Sequence, residues 1–175
     1  MTLQTSSLEV QSLKRILQIT GKGVTHLAFE LSPSIEGLGF MIYTDGSKMD
    51  NAVGSAYTVF HNGTEVQTWK CHMSPHNSVF QAEALALLKA IEWAQTTRAE
   101  YFTIYTDSLS VLYAINDPRH TSPLVFQIQE TLRNTSPFPK LGISWVKAHV
   151  GDQGNERADT LAKEAAQDRY AVQKD

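Results

Sequence analysis

Four acidic residues occupy positions where a carboxylate could hold a metal ion. Asp45 and Asp107 each end an apolar, β-prone run, residues 40–44 and 101–106. Both runs close on the same four residues, Ile42-Tyr43-Thr44-Asp45 and Ile104-Tyr105-Thr106-Asp107. On neighbouring parallel strands these acids would lie side by side at the C-terminal ends, the edge where open α/β sheets bind ligands. Two carboxylates held that close repel, and both stay ionised only if a cation lies between them. Glu83 is the third. It falls three residues after Phe80 and four before Leu87, on a stripe continued by Ala90, Ile91 and Ala94. A charge on the sheet-facing side of a helix is disfavoured unless it is paired or bound to metal. Asp159 is the fourth, in the opening of the last helix. Each acid has an ordinary explanation alone: a turn aspartate before Gly46, a cap beside Ser108, a first-turn charge. Their joint placement at two strand ends and on two helices is harder to explain that way.

Oxygen-only ligands favour Mg2+, with Mn2+ as a substitute, over zinc. Two such ions a few ångströms apart would clamp the attacking and leaving oxygens of an in-line phosphodiester cleavage.

The segment from Trp145 to Asp159 gathers the remaining chemistry. Ile143 to Val146 reads as the end of a buried strand. Gly151 and Gly154 suggest a mobile loop just past His149, with Asn155 as the cap of the next helix and Glu156 in its first turn. A histidine on a loop and a carboxylate at a helix start would thus share one strand end.

The elements that must position these groups are legible in order. Residues 1–37 read as an N-terminal extension and linker. Leu8, Leu13, Ile16 and Leu17 there form one stripe of a short helix, ended by Gly21 and Gly23. Three strands follow, near residues 39–44, 52–60 and 65–73, with His61-Asn62-Gly63 as hairpin chemistry. Helices are expected over about 78–96, 108–115 and 123–133. A fourth strand covers 101–106, a fifth 141–146, and a final helix ends near Asp168. Residues 38–170 would form the domain and 171–175 a tail. The fold class is α/β, a mixed sheet with helices on both faces.

Bulk properties narrow the classes. With 175 residues and 42% hydrophobic content, the chain can bury one core. Its single cysteine, Cys71, excludes an intramolecular disulfide and a Cys-rich zinc site, and favours an intracellular setting, cytoplasmic or nuclear. No apolar run is long enough to span a membrane, and the polar N-terminus lacks a signal-peptide profile. The net charge of −3 is not that of a typical nucleic-acid binder, but a carboxylate cluster would push the total negative while a basic groove survives beside it.

Taken together, these residues resemble the type I ribonuclease H family. The matching motifs, in family order, are Tyr43-Thr44-Asp45-Gly46-Ser47, Gln81-Ala82-Glu83, Tyr105-Thr106-Asp107-Ser108, and His149-Val150-Gly151-Asp152-Gln153-Gly154-Asn155-Glu156-Arg157-Ala158-Asp159. They cover about residues 39–168. The resemblance implies a five-stranded RNase H-like sheet of order 3-2-1-4-5, with strand 2 antiparallel, and hydrolysis of the RNA strand of RNA–DNA hybrids. It assigns two Mg2+ ions to Asp45, Glu83, Asp107 and Asp159, and makes His149 a loop histidine that assists proton transfer or product release. Gly46, Ser47, Gln81, Ser108 and Asn155 become candidate substrate contacts.

Two departures narrow the resemblance. Cellular members usually carry Asn or Gln side chains just before the helix glutamate, contacting RNA 2′-hydroxyls; here Ser78-Val79-Phe80-Gln81 stands there. Many also insert a basic helix and loop where this chain has only Asn116-Asp117-Pro118-Arg119-His120-Thr121. Both features resemble ribonuclease H domains of non-LTR retrotransposon reverse transcriptases, whose polymerase part can hold the hybrid. Three alternatives stand beside this reading. One is another carboxylate-metal nuclease, such as a 3′–5′ exonuclease or a transposase-like core. The second is a non-catalytic tether, and the third a generic α/β domain, which leaves Glu83 unexplained. Lys147, Arg157 and Lys163 surround the last motif as phosphate-tracking candidates or plain surface charges. Trp69, Trp93 and Trp145 read as core.

Overall fold

A computed structural model describes residues 13–20, 23–31, 39–99, 101–134, 140–146 and 152–169. Strands β1 (Leu13–Thr20), β2 (Gly23–Leu31), β3 (Phe40–Met49), β4 (Ala52–His61) and β5 (Thr64–Met73) precede helix α1 (Val79–Thr96). Then come β6 (Tyr101–Thr106), α2 (Leu109–Ile115), α3 (Pro123–Arg133), β7 (Lys140–Trp145) and α4 (Gln153–Gln167). The sheet order is β2-β1-β7-β6-β3-β4-β5. Within it, β5-β4-β3-β6-β7 is the expected mixed five-stranded unit, with β4 antiparallel to both neighbours and β3, β6 and β7 parallel.

Local chemistry accounts for the connections. Asn62 and Gly63 both have positive φ, 51° and 76°, the pair that a two-residue hairpin of the favoured twist requires. Each described helix starts on a side-chain cap: Ser78, Ser108, Ser122 and Asp152. Pro123 takes the first turn of α3, where its missing N–H costs nothing.

Alternation along the strands divides the core in two. On one face Ile42, Val59, Phe102, Ile104 and Ile143 are buried with Leu87 and Ile91 of α1, Leu112 of α2 and Ile128 of α3. On the other, Tyr43 and Tyr105 pack with Val146 and Ala158, and Ala56 packs with Leu161 and Ala162. Trp69, Trp93 and Trp145 are half-buried against the first cluster, in line with a core role, and Cys71 is fully buried.

Three expectations need correction. The region expected as a helix with Leu13, Ile16 and Leu17 is instead strand β1. It pairs antiparallel with β2 as a hairpin and with β7 through Ile16↔Ser144, Leu17↔Ile143 and Gln18↔Gly142. The spacing of its apolar residues fits a helix, but the open edge of β7 offers a ladder that local periodicity cannot register. Asn155 does not cap the last helix; Asp152 does, accepting from the backbone N–H groups of Gly154 and Asn155 at 3.0 and 3.3 Å. Gly154 therefore belongs to the first turn of α4 and not to a loop. A Cβ there would lie 2.2 Å from the Tyr43 ring, so this glycine serves close helix–sheet packing. His149, Lys147 and Gly151, like Leu8 and residues 171–175, lie outside the described residues. Among the described residues no helix is long and apolar enough to cross a membrane.

Candidate metal centre

The paired tetrapeptides align residue for residue across parallel strands: Ile42↔Ile104, Tyr43↔Tyr105 and Thr44↔Thr106. Asp45 and Asp107 follow the last pair and so emerge together. The register is reinforced by the Tyr43–Tyr105 stack, with ring centroids 4.8 Å apart, and by the Thr44 hydroxyl donating to the Tyr105 carbonyl at 3.3 Å. The Trp145 indole N–H donates to the Asp107 carbonyl at 3.1 Å, fixing that strand end from β7.

Glu83 arrives from α1. Strand alternation puts Gly46 on the α1 side, where a Cβ would lie 2.6 Å from the Glu83 backbone nitrogen. Glycine at this position lets the helix approach closely enough for the Glu83 carboxylate to reach the strand ends. The helix is locked in place by a reciprocal cap: the Gln81 N–H donates to the Ser78 hydroxyl, and the Ser78 N–H to the Gln81 side-chain oxygen. Lys48 ties down the preceding turn, donating to the carbonyls of Pro75 and Asn77.

Asp45, Glu83 and Asp107 each offer an oxygen within 4.8 Å of the others. Asp45 is 5% exposed and Glu83 9%. The Glu83 Oε2 is buried with no hydrogen-bond partner. Burial, then the Asp107 charge, pushes the Asp45 carboxyl up to about 7, although hydrogen bonds from Glu83 and the Gly46 N–H oppose the shift. Glu83 is raised well above the ordinary range, first by burial, then by the charges of Asp45 and Asp107. Protein alone leaves this cluster short of positive charge, and one carboxylate oxygen of its members is buried without a partner. A divalent cation fits that donor set, and hard oxygen ligands are what Mg2+ and Mn2+ take.

Asp159 stands apart from the tight trio. Its carboxylate accepts from Lys163 at 2.9 Å, yet its charge is felt at Asp45, and Lys163 in turn feels Asp45. It therefore borders the cluster from the α4 side. Ser47 is buried beyond Asp45. The hydroxyl of Ser108 caps α2, accepting from Val111 N–H. Asn155 is buried, 3% exposed, in the first turn of α4. Gln81 spends its side-chain oxygen on the cap, which leaves its amide N–H groups as donors. Arg157 is engaged by Glu65, a contact the sequence did not suggest.

Known proteins share sequence and fold with this chain. The RNase H family model matches residues 39–167. The chain is similar to a ribonuclease H of Campylobacter curvus, 30% identical over 142 residues, covering 71% of this chain and 91% of that protein. It is also similar to a ribonuclease HI of Campylobacter jejuni, 28% identical over 134 residues, with 71% and 89% covered. Among solved structures, RNase H1 of the archaeon Halobacterium salinarum superposes with a TM-score of 0.60 at 24% identity, covering 73% of this chain and 97% of that one. LC11-RNase H1, solved in complex with an RNA/DNA hybrid, gives 0.59 at 18% identity, with 74% and 97% covered. These two structures share the fold. The chain belongs to the RNase H family and is a ribonuclease H.

Proposed function

From that membership we infer that the protein is an endoribonuclease that hydrolyses the RNA strand of RNA–DNA hybrids. The observation that carries the reading is the trio Asp45, Glu83 and Asp107, each offering an oxygen within 4.8 Å of the others, with Glu83 Oε2 buried and unpartnered. These three, with Asp159, would hold two Mg2+ ions, for which Mn2+ can substitute. When bound, such ions supply charge stabilisation to the attacking and departing oxygens of an in-line displacement. The chain's own groups do the rest. The strand pair fixes the spacing of Asp45 and Asp107. Glu83 supplies a carboxylate whose buried charge a cation would compensate, and Asp159 would close the α4 side. His149 would carry the proton or ease departure of the product.

Choice of the hybrid would rest on helix shape and 2′-hydroxyl contacts. The amide donors of Gln81, backbone groups near Gly46, Ser47 and Ser108, and Asn155 are the proposed contacts. A hybrid is the ligand of the compared LC11 enzyme, which supports this assignment.

The catalytic unit is proposed to span residues 38–170, with 1–37 outside it and 171–175 as a tail. A retroelement setting, beside a reverse-transcriptase polymerase domain and inside the cell, is supported by the Ser78-Val79-Phe80-Gln81 stretch and the short α2–α3 connection. In that setting the isolated chain should bind hybrid weakly, and tight, steeply salt-dependent binding would count against it.

The test is cleavage of a labelled hybrid with Mg2+, beside single-stranded RNA, double-stranded DNA and an Asp45→Asn control. RNA-strand cleavage confined to the hybrid and lost in the control supports the reading. No cleavage together with no Mg2+ binding by the full chain would overturn it in favour of a nucleic-acid tether, whereas Mg2+ binding without cleavage would point to missing substrate-holding parts.

A further inference from the structure

Helix α4 lies on the sheet through small residues. Gly154 meets the Tyr43 ring, Ala158 joins the Tyr43–Tyr105 layer, and Gly54 admits the backbone of residues 162–166. Such a face allows close approach but resists rotation and sliding poorly, because among the described residues of α4 only Leu161 sets a large buried apolar side chain against the sheet. Rotation matters here. A turn of about 10° moves a side-chain tip, about 5–6 Å from the helix axis, by about 1 Å. That is the scale of misplacement that can cost about 100-fold in rate.

Polar contacts from β5 oppose that rotation: His72 Nδ1 lies 3.1 Å from the Ala165 carbonyl, Lys70 meets Glu164 at 3.4 Å, and a cluster around Arg157 acts closest in sequence to Asp159. Arg157 donates through Nε and Nη2 to the two oxygens of Glu65, at 2.8 and 3.3 Å, a fork matched to a carboxylate. The Thr58 hydroxyl donates to the same Glu65 Oε2 at 2.7 Å. Glu65 reaches this face because of a break in the β4–β5 ladder: Val59 pairs with Gln67 but Phe60 pairs with Glu65, leaving Val66 as the extra residue. In regular alternation Glu65 would point to the α1 side; the bulge re-aims it beside Phe60, toward α4. Val66 itself is left 48% exposed, the exposure expected of an unpaired bulge residue. Arg157 and Asp159, two residues apart on a helix, project from nearly opposite sides. Holding Arg157 against β5 therefore sets where Asp159 points.

We propose that Glu65, delivered by the Val66 bulge and braced by Thr58, is a positioning residue that acts through Arg157 to orient Asp159 toward the acid cluster. This rests on the ribonuclease H reading of the site. The ion pair is partly solvated, with side chains 30% and 39% exposed, so its loss should cost little stability. Its effect should appear in metal binding and turnover instead.

The experiment is a double-mutant cycle, Glu65→Ala, Arg157→Ala and both together, with Glu65→Gln as the conservative variant. Mn2+ affinity of the metal-free protein is read by titration, and kcat and KM are read on the hybrid. Each single change should weaken Mn2+ binding and lower kcat by about threefold to tenfold, less than the roughly 10–100-fold typical of groups that touch a metal's ligands directly, because Glu65 acts through Arg157. KM should stay put, the double variant should be no worse than either single one, and Glu65→Gln should recover part of the loss. A purely electrostatic role predicts opposite signs, since removing the Arg157 charge would tighten metal binding. Opposite signs, or Mn2+ affinity and kcat within twofold of wild type whatever happens to Tm, would overturn the proposal. Because Mn2+ binding is read without substrate, the result stands even if the wild-type chain fails to cleave hybrid, which would count against the ribonuclease reading alone.

Discussion

The four acids fall into two pairs that are held differently. Asp45 and Asp107 leave adjacent parallel strands at matched register, with stacked tyrosines behind them, so the backbone ladder itself sets their separation. Glu83 and Asp159 come from helices on opposite faces, and each depends on glycine-mediated approach: Gly46 admits α1, and Gly154 lets α4 settle on Tyr43. The two helix acids also differ in surroundings. Glu83 is buried with an orphaned oxygen, whereas the Asp159 side chain is 25% exposed and paired with Lys163. In the proposed site the strand pair sets the frame, and the helix acids would complete it. How firmly each acid is committed to a cation should follow how little else is available to it.

That contrast can be tested in order of expected effect. Asp45→Asn removes a charge from the strand pair, and kcat on a hybrid should fall by about 1,000-fold, the upper range for loss of one charge-stabilising group. Gly46→Ala leaves every acid in place but sets a Cβ against the α1 backbone. Single-turnover cleavage should drop by about 100-fold, with a stability loss of about 1–3 kcal/mol in urea melts. Asp159→Asn should be milder, about tenfold in kcat and partly recovered at higher Mg2+, since this acid already shares its charge with Lys163. An Asp159→Asn loss as large as that of Asp45→Asn would erase the distinction between the pairs.

The pairs also make a pH prediction for metal-free protein. The Asp45 carboxyl titrates near 4 when unfolded and is pushed to about 7 when folded, so between these values the folded state holds more protons. The Asp45 contribution to stability therefore falls as pH rises from about 4 through about 7, by at most about 1.4 kcal/mol for each step of one in pH and on the order of 4 kcal/mol in all. Urea melts across that window, with wild type beside Asp45→Asn, should show a slope that is shallower in the variant, where buried Glu83 keeps its own part.

Much of this was legible in the sequence, for physical reasons that also mark its limits. The two Ile-Tyr-Thr-Asp runs ended where their acids were needed, and Glu83 stood out because a charge on an apolar stripe requires a partner. The hairpin at Asn62-Gly63 was written in residues that tolerate positive φ. The N-terminal hairpin was not legible, because Leu13, Ile16 and Leu17 satisfy a helical period while the β7 edge that receives them is more than 120 residues away. The start of α4 is ambiguous in the sequence because Asp152 and Asn155 are both competent caps. What favours Asp152 is a tertiary fact, the flat Tyr43 ring that accepts Gly154. The Glu65–Arg157 pair spans 92 positions and depends on a bulge, which no local pattern announces.

The most direct test of the central claim, that these buried acids form a cation site, is thermal melting at pH 8 with and without Mg2+. Wild type should gain about 5–10 °C in Tm at Mg2+ one hundred times its Kd, the stabilisation that binding to the folded state alone provides. Asp45→Asn should melt higher than wild type without metal and respond little to Mg2+. A wild-type Tm indifferent to Mg2+, or a variant that responds equally, would contradict the account.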